Sequence, residues 1–292
     1  IVSAAIFMPT TGFLTARFGR KKLLIVAVAG FTIASGLCGA AQTLGQMVIF
    51  RLLQGVFGAA LVPMSQAILL DSYPREKHGS AMAIWGVGVM VGPILGPMLG
   101  GWLTEYYNWR WVFYINVPIG VAVVFGLLAV LTESKTQQMR FDWFGFATLS
   151  LAVGALQMML DRGQLVDWFA STEIVVEATL AALALYLFLV HMATAERSFI
   201  DPHLFADRNF RVGIMLIFVV GVILLASVAL LTPYLQTLMG YPVLTAGLIL
   251  GPRGIGTMVA MMIVGRLINR VDPRVFLLIG LELLADRWRG MH

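Results

Sequence analysis

Charge is scarce in this sequence: of 292 residues only 12% are Asp, Glu, Lys or Arg, against about a quarter in a soluble domain. A chain so poor in charge cannot solvate a globular surface. Cysteine is scarcer, with Cys38 alone, so no disulfide closes within the chain and the redox compartment stays undetermined. Cys38 falls inside an apolar run, where a packing role suits it. His78, His191, His203 and His292 read as loop or tail residues without metal-ligand spacing. Neither a nucleophile elbow nor a phosphate-cradling glycine loop occurs. Catalysis, a bound cofactor and a metal site are therefore not expected. No charged leader or cleavage site precedes the first apolar run, which is too short to span a bilayer. The expectation is a fragment that opens inside a helix.

Apolar residues are abundant instead, at 59% with a mean hydropathy of +0.88. This marks an integral membrane protein. Apolar runs fall at about 1–14, 23–41, 47–69, 80–104, 111–131, 143–160, 172–190, 212–234, 245–264 and 275–284, which reads as eight full spans and two incomplete ends. Most approach the ~20 residues that carry a helix across a hydrocarbon core. A barrel strand would alternate in polarity over about ten residues, whereas these runs are continuously apolar, so the fold class is all-α.

The formal charge of +5 reports topology. Arg17, Arg20, Lys21 and Lys22, then Arg75 and Lys77, Lys135 and Arg140, Arg197, Arg208 and Arg211, and Arg266, Arg270 and Arg274 occupy alternate loops. The opposite loops hold only Arg110 and Arg162. Such a bias puts the first group in the cytoplasm. The partner implied is the lipid bilayer, and nucleic acid is not expected.

Two longer polar breaks, at 132–142 and 191–211, bracket a helix pair at about 143–190. They divide the chain into an N-terminal half at 1–131, an inserted helix pair with its linkers at 132–211, and the start of a C-terminal half at 212–292. An imperfect internal repeat agrees: Gly12-Phe-Leu-Thr-Ala-Arg has an echo in Gly265-Arg-Leu-Ile-Asn-Arg, each at the end of an apolar run.

The stretch Gly88 to Gly101 reads GVMVGPILGPMLGG, with glycine at Gly88, Gly92, Gly96 and Gly100 and proline at Pro93 and Pro97. Against alanine, each interior glycine costs about 1 kcal/mol of helicity and each proline about 3, roughly 10 in all. A bilayer can still hold such a helix, because backbone left unpaired in lipid is prohibitive and a stripe of small residues admits a close neighbour. The expectation is intimate contact with a helix of the other half. Arg51 lies a few residues into its own apolar span, and two readings of it stay open. It either snorkels to the interface or serves function, as intramembrane charges do by default.

Four motifs together resemble the major facilitator superfamily, and within it the fourteen-span drug:proton antiporters of EmrB/QacA type. Gly12-Phe-Leu-Thr-Ala-Arg-Phe-Gly-Arg-Lys is similar to the family's loop between spans two and three, with Gly12, Arg17, Gly19, Arg20 and Lys21 at matching positions. The motif's acidic position is Ala16 here, so any cytoplasmic latch must use other partners. A basic loop that only sets orientation is the other reading. Phe50-Arg-Leu-Leu-Gln-Gly resembles span four, and the resemblance implies a proton-coupling role for Arg51 with Gln54. The glycine ladder, Gly101 included, resembles the antiporter signature of span five, and ordinary helix packing is its alternative. Trp109-Arg-Trp-Val-Phe-Tyr-Ile-Asn-Val-Pro-Ile-Gly resembles the entry to span six, and its aromatics also suit an interfacial belt. Agreement fades after about Gly280, and the polar tail is expected to be truncated or altered.

The resemblance implies a major facilitator helical bundle, multi-pass in a bacterial cytoplasmic membrane, lacking span one and the last spans. It implies export of amphiphilic or cationic drugs by alternating access, with the proton gradient as energy source and no cofactor. The partners implied are the small-molecule substrate, protons and, in a two-membrane envelope, a periplasmic adaptor protein. An exporter of a physiological metabolite shares these motifs, and a non-transporting membrane sensor is the remoter alternative.

Overall fold

The computed structural model describes residues 2–133, 136, 141–195, 198, 200–268, 271–272, 274–280 and 282. Lys135, Arg140, Arg197, Arg270 and the tail from 283 lie outside the described residues, as do the side chains of Pro93, Pro97 and Arg253. All regular structure among the described residues is helical. The longer elements are α1 (Val2–Phe7), α2 (Thr11–Phe18), α3 (Arg20–Ala40), α4 (Leu44–Gly58), α5 (Leu61–Ser72), α6 (His78–Tyr106), α7 (Trp111–Tyr114), α8 (Asn116–Val130), α9 (Trp143–Arg162), α10 (Thr172–Thr194), α11 (Arg208–Pro233) and α12 (Val243–Leu267). Six stretches among the described residues are long and apolar enough to cross a membrane, α4 and α5 counting as one. The two other full runs are α11 and α12, of 26 and 25 residues.

Local chemistry sets the boundaries. Thr43 caps α4 by accepting from the Gln46 amide at 3.2 Å, while Gln46 Oε1 accepts from the Gln42 amide at 2.8 Å, a close relative of the capping box. Asp142 caps α9 by accepting from the Gly145 amide at 2.8 Å. Between α2 and α3 the chain turns at Gly19, whose φ of +86° and ψ of 156° lie in a region open essentially to glycine. A Cβ there would also strike the Glu133 carboxylate. Just beyond, Lys21 Nζ donates to the Leu128 carbonyl at 3.1 Å, in the last turns of α8. A helix C-terminus favours such a cation.

Two compact units form, residues 1–64 with 113–231 and residues 65–112 with 232–292. Within the first, α3 packs on α4 and α8, α9 on α10, and α1 on α4 and α9. Lipid tails are as apolar as leucine, so helices associate there through close fit rather than hydrophobic expulsion. The fit is made at glycines. Gly30 receives the Phe57 ring, Gly39 the Tyr114 ring, Gly55 the Ser3 side chain and Gly120 that of Thr32, each near enough that an added Cβ would overlap its neighbour.

The α9–α10 hairpin is clasped at both ends. Arg162 Nη1 meets Glu173 Oε1 at 2.5 Å beside the turn. At the far end His191 Nε2 lies 2.9 and 3.0 Å from the two Asp142 oxygens, so that nitrogen carries the proton. His191 is therefore a residue of the last turn of α10, not the loop residue expected from sequence. Likewise His78 opens α6 and His203 lies in a short 3-10 helix.

In the second unit α6 runs unbroken for 29 residues through both prolines, antiparallel to α12. Gly265 meets Ala83, Gly86 meets Met261 and Gly254 meets Ile94, so the register is constant along the seam. Close contact between α6 and a helix of the later segment thus exists, and these three glycines make it. Gly88 lies two residues past Gly86, and Gly92 and Gly96 flank Ile94 by two, which turns them about 200° away from the seam. A Cβ at Gly88, Gly92, Gly96 or Gly100 meets no described atom within 4 Å.

Two stability series follow. Gly265→Leu is expected to cost about 1–3 kcal/mol of overpacking, because Ala83 Cβ cannot move aside. Gly86→Leu costs less, since the end of Met261 can swing away, and Gly92→Leu leaves this helix pair unchanged. Thermal unfolding in detergent should rank them in that order. Gly19→Ala should cost about 1–3 kcal/mol of backbone strain, whereas Gly12→Ala, helical and open, should be neutral or stabilising.

Candidate functional site

Arg51 and Gln54 sit three residues apart on α4 and so share a face. Arg51 Nη1 donates to Gln54 Oε1 at 3.1 Å, and its Cζ stands 4.8 Å from the centroid of the Phe113 ring. Cys38, from α3, brings its Sγ to 3.9 Å from the same Gln54 oxygen. One helical turn before it, Ser35 Oγ donates to the Phe113 carbonyl at 3.0 Å and accepts from Asn116 Nδ2 at 3.0 Å. Ser35 and Cys38 are wholly buried and Gln54 is 6% exposed, so the polar groups are satisfied by one another, as buried polar groups must be.

The magnitudes say what this arrangement achieves. Even at the centre of a span a guanidinium costs about 2.5–3.5 kcal/mol on insertion scales, and Arg51 stands nearer the edge of the Leu44–Ser72 stretch. A hydrogen bond to a charged group returns about 1.5–3 and a cation–π contact about 0.5–2. Neutral partners therefore suffice to keep Arg51 in its span. Among the described residues no carboxylate pairs with it, and its remaining surface is exposed. The charge is held in place and left unneutralised.

The other expected residues fall elsewhere. Gly88, Gly92 and Gly96 line an exposed face of α6, while Gly101 is buried. Arg17, Gly19, Arg20 and Lys21 form the turn between α2 and α3, with Glu133 against Gly19. Position 16 being alanine, that carboxylate comes from beyond the end of α8, 114 residues after Gly19. Around the C-terminus of α6, Tyr107 lies 5.4 Å from Trp102 and 6.2 Å from Trp111, and Arg110 stacks on Trp109 at 4.7 Å, an interfacial aromatic cluster.

Sequence reasoning passed over Phe113, Ser35 and Asn116, whose roles depend on α3 meeting the segment that enters α8. It also passed over Glu177, an acid within α10 whose Oε2 is buried without a partner. Glu177 lies on the stripe of Ile174, Ala181, Ala184 and Phe188, the buried side of that helix. The signal was available, since an acid inside an apolar run is a functional candidate by default. No group of three or more His, Cys, Asp or Glu among the described residues is arranged to hold a metal ion.

Comparison with known proteins agrees with this architecture. The Major Facilitator Superfamily model matches residues 1–285. The chain is 40% identical over 275 residues to the Multidrug export protein EmrB of Escherichia coli K12, covering 94% of this chain and 54% of that protein. It is 40% identical over 276 residues to the Fatty acid resistance protein FarB of Neisseria gonorrhoeae, with the same coverage of each. To the Multidrug resistance protein B homolog of Mycobacterium tuberculosis H37Rv it is 31% identical over 287 residues, 98% of this chain and 53% of the relative. It spans a little over half the length of these relatives. With an all-helical, multi-pass membrane architecture and a family match along nearly its whole length, the chain belongs to the Major Facilitator Superfamily.

Proposed function

We propose that the intact protein is a proton-driven multidrug exporter of a bacterial cytoplasmic membrane, moving amphiphilic or cationic compounds by alternating access. The observation that carries this reading is Arg51, a cation held in its span by Gln54 and Phe113 rather than by a carboxylate. A charge so held remains available to a titratable acid on another helix. While ionised, that acid draws the guanidinium away from Gln54; once protonated, it releases it. Two positions of one cation, chosen by one proton, supply the bistable element that alternating access requires.

The ladder glycines have a place in this proposal. Gly88, Gly92, Gly96 and Gly100 form the face on which a further helix of the intact transporter closes, while α12 holds the other side of α6. The loop residues Gly19, Arg20 and Lys21 latch the cytoplasmic side beside Glu133. In a two-membrane envelope, substrate passes to a periplasmic adaptor protein. The relatives named for multidrug export support drug-like substrates, and the one named for fatty acid resistance supports a second reading, export of a physiological amphiphile.

Inverted vesicles carrying the full-length protein, with an imposed pH gradient, test this. Arg51→Ala should lower gradient-driven export of a cationic dye at least about tenfold, a loss of about 1.4 kcal/mol in transition-state terms, with equilibrium dye binding retained. Unchanged export by Arg51→Ala contradicts the coupling role. Export of fatty acid in preference to dye selects the second reading.

A further inference from the structure

Two apolar cavities flank α2 in the first unit. One, of about 490 Å³, lies among α2, α3 and α4 and is lined by Phe7, Leu14, Phe18, Val26 and Phe57, with Lys22 at its edge. The other, of about 620 Å³, is walled by the aromatic rings of Phe13, Phe141, Trp143 and Phe146, with Arg17 at its edge. They share Phe7, Thr10, Leu14 and Phe18 as a common wall. Both volumes fall in the range of about 300–1,000 Å³ usual for ligand pockets.

Polar features sit where an amphiphile would need them. Arg17 and Lys22 are exposed, and among the described residues neither pairs with a carboxylate. No Asp or Glu occurs in the first 70 residues. Glu133 lies against Gly19 and Lys21 is bonded to the Leu128 carbonyl, which leaves Arg17 and Lys22 as the cations at the two cavity edges. Thr10 and Thr15 spend their hydroxyls on the backbone carbonyls of Phe7 and Thr11. Thr11 does not: it lines the first cavity, is 7% exposed, and its Oγ1 has no hydrogen-bond partner.

We infer that this is a binding site for an anionic phospholipid of the cytoplasmic leaflet. Its acyl chains fill the two cavities astride α2, and its phosphate meets Arg17 and Lys22 at their edges. Charge complementarity selects this occupant. The basic loop lies at the cytoplasmic interface, where each Lys or Arg gains about 1 kcal/mol from anionic lipid, and the Lys22 stem runs along the apolar wall while its ammonium stays at the rim. A cationic drug would be repelled there. The inference needs only the membrane topology and stands whether or not the protein exports drugs.

Native mass spectrometry of the full-length protein, titrated with phosphatidylglycerol or phosphatidylcholine, tests it. Phosphatidylglycerol should be retained at least about tenfold more tightly. Arg17→Gln with Lys22→Gln should bring the two lipids level. Val26→Trp, which fills one cavity and keeps both charges, should weaken retention of either, with thermal unfolding showing that each variant is folded. Inorganic phosphate at millimolar concentration should not displace the lipid. Equal retention of the two lipids by the native protein overturns the inference, as does undiminished selectivity in the double variant. Displacement by phosphate alone would show a simple anion site, and displacement by equimolar fatty acid a site for amphiphilic acids; either result also overturns it.

Discussion

A bilayer removes the hydrophobic effect as a force between helices, and the packing of α3, α4 and α8, and of α6 and α12, rests on what replaces it. Close fit at glycine is the replacement. Phe57 enters the gap at Gly30, Tyr114 that at Gly39, Thr32 that at Gly120, and Ala83 that at Gly265. At each contact one helix gives up a side chain so that its neighbour can approach. The bilayer also explains why α6 persists through two prolines: unpaired backbone is too costly in lipid for the helix to fray.

The same constraint shapes the polar site. Because α3 and α4 approach at Gly30 and Gly58, with Phe57 and Phe31 as the filling rings, Cys38 can reach the oxygen of Gln54 that also binds Arg51. Ser35, on the same face of α3, is brought to the Phe113 carbonyl. Tight helix packing thus prepares a place for a charge that lipid would otherwise reject. The charge is stable there with neutral partners, and in the proposed exporter this leaves it free to answer a proton bound elsewhere.

Much of this was legible in the sequence. The apolar runs locate the spans to within a few residues, since hydropathy and backbone satisfaction leave helices as the sole solution. Arg51 and Gln54 announce themselves by type and by a spacing of three. The glycine ladder, by contrast, does not mark the seam with α12. Its period of four draws attention to Gly88, Gly92 and Gly96, yet the contact with α12 uses Gly86, Gly254 and Gly265, which form no repeat because each answers a particular partner side chain. Which face of a helix is occupied depends on the neighbour, and one helix carries no record of that. Glu133 against Gly19 and His191 against Asp142 were hidden for the same reason, being 114 and 49 residues apart in the chain. The two cavities likewise exist only once α2 lies between α3 and α9.

Disulfide cross-linking in the full-length protein tests the seam between α6 and α12 most directly. With Cys38 replaced by serine, paired cysteines at 86 and 261 should close readily under mild oxidation, since Gly86 faces the Met261 side chain and a bridge needs Cβ atoms about 3.5–4.5 Å apart. Cysteines at 88 and 261, or at 92 and 254, should stay reduced. Efficient closure from position 88 or 92, with none from 86, would put the ladder in the seam and contradict the account.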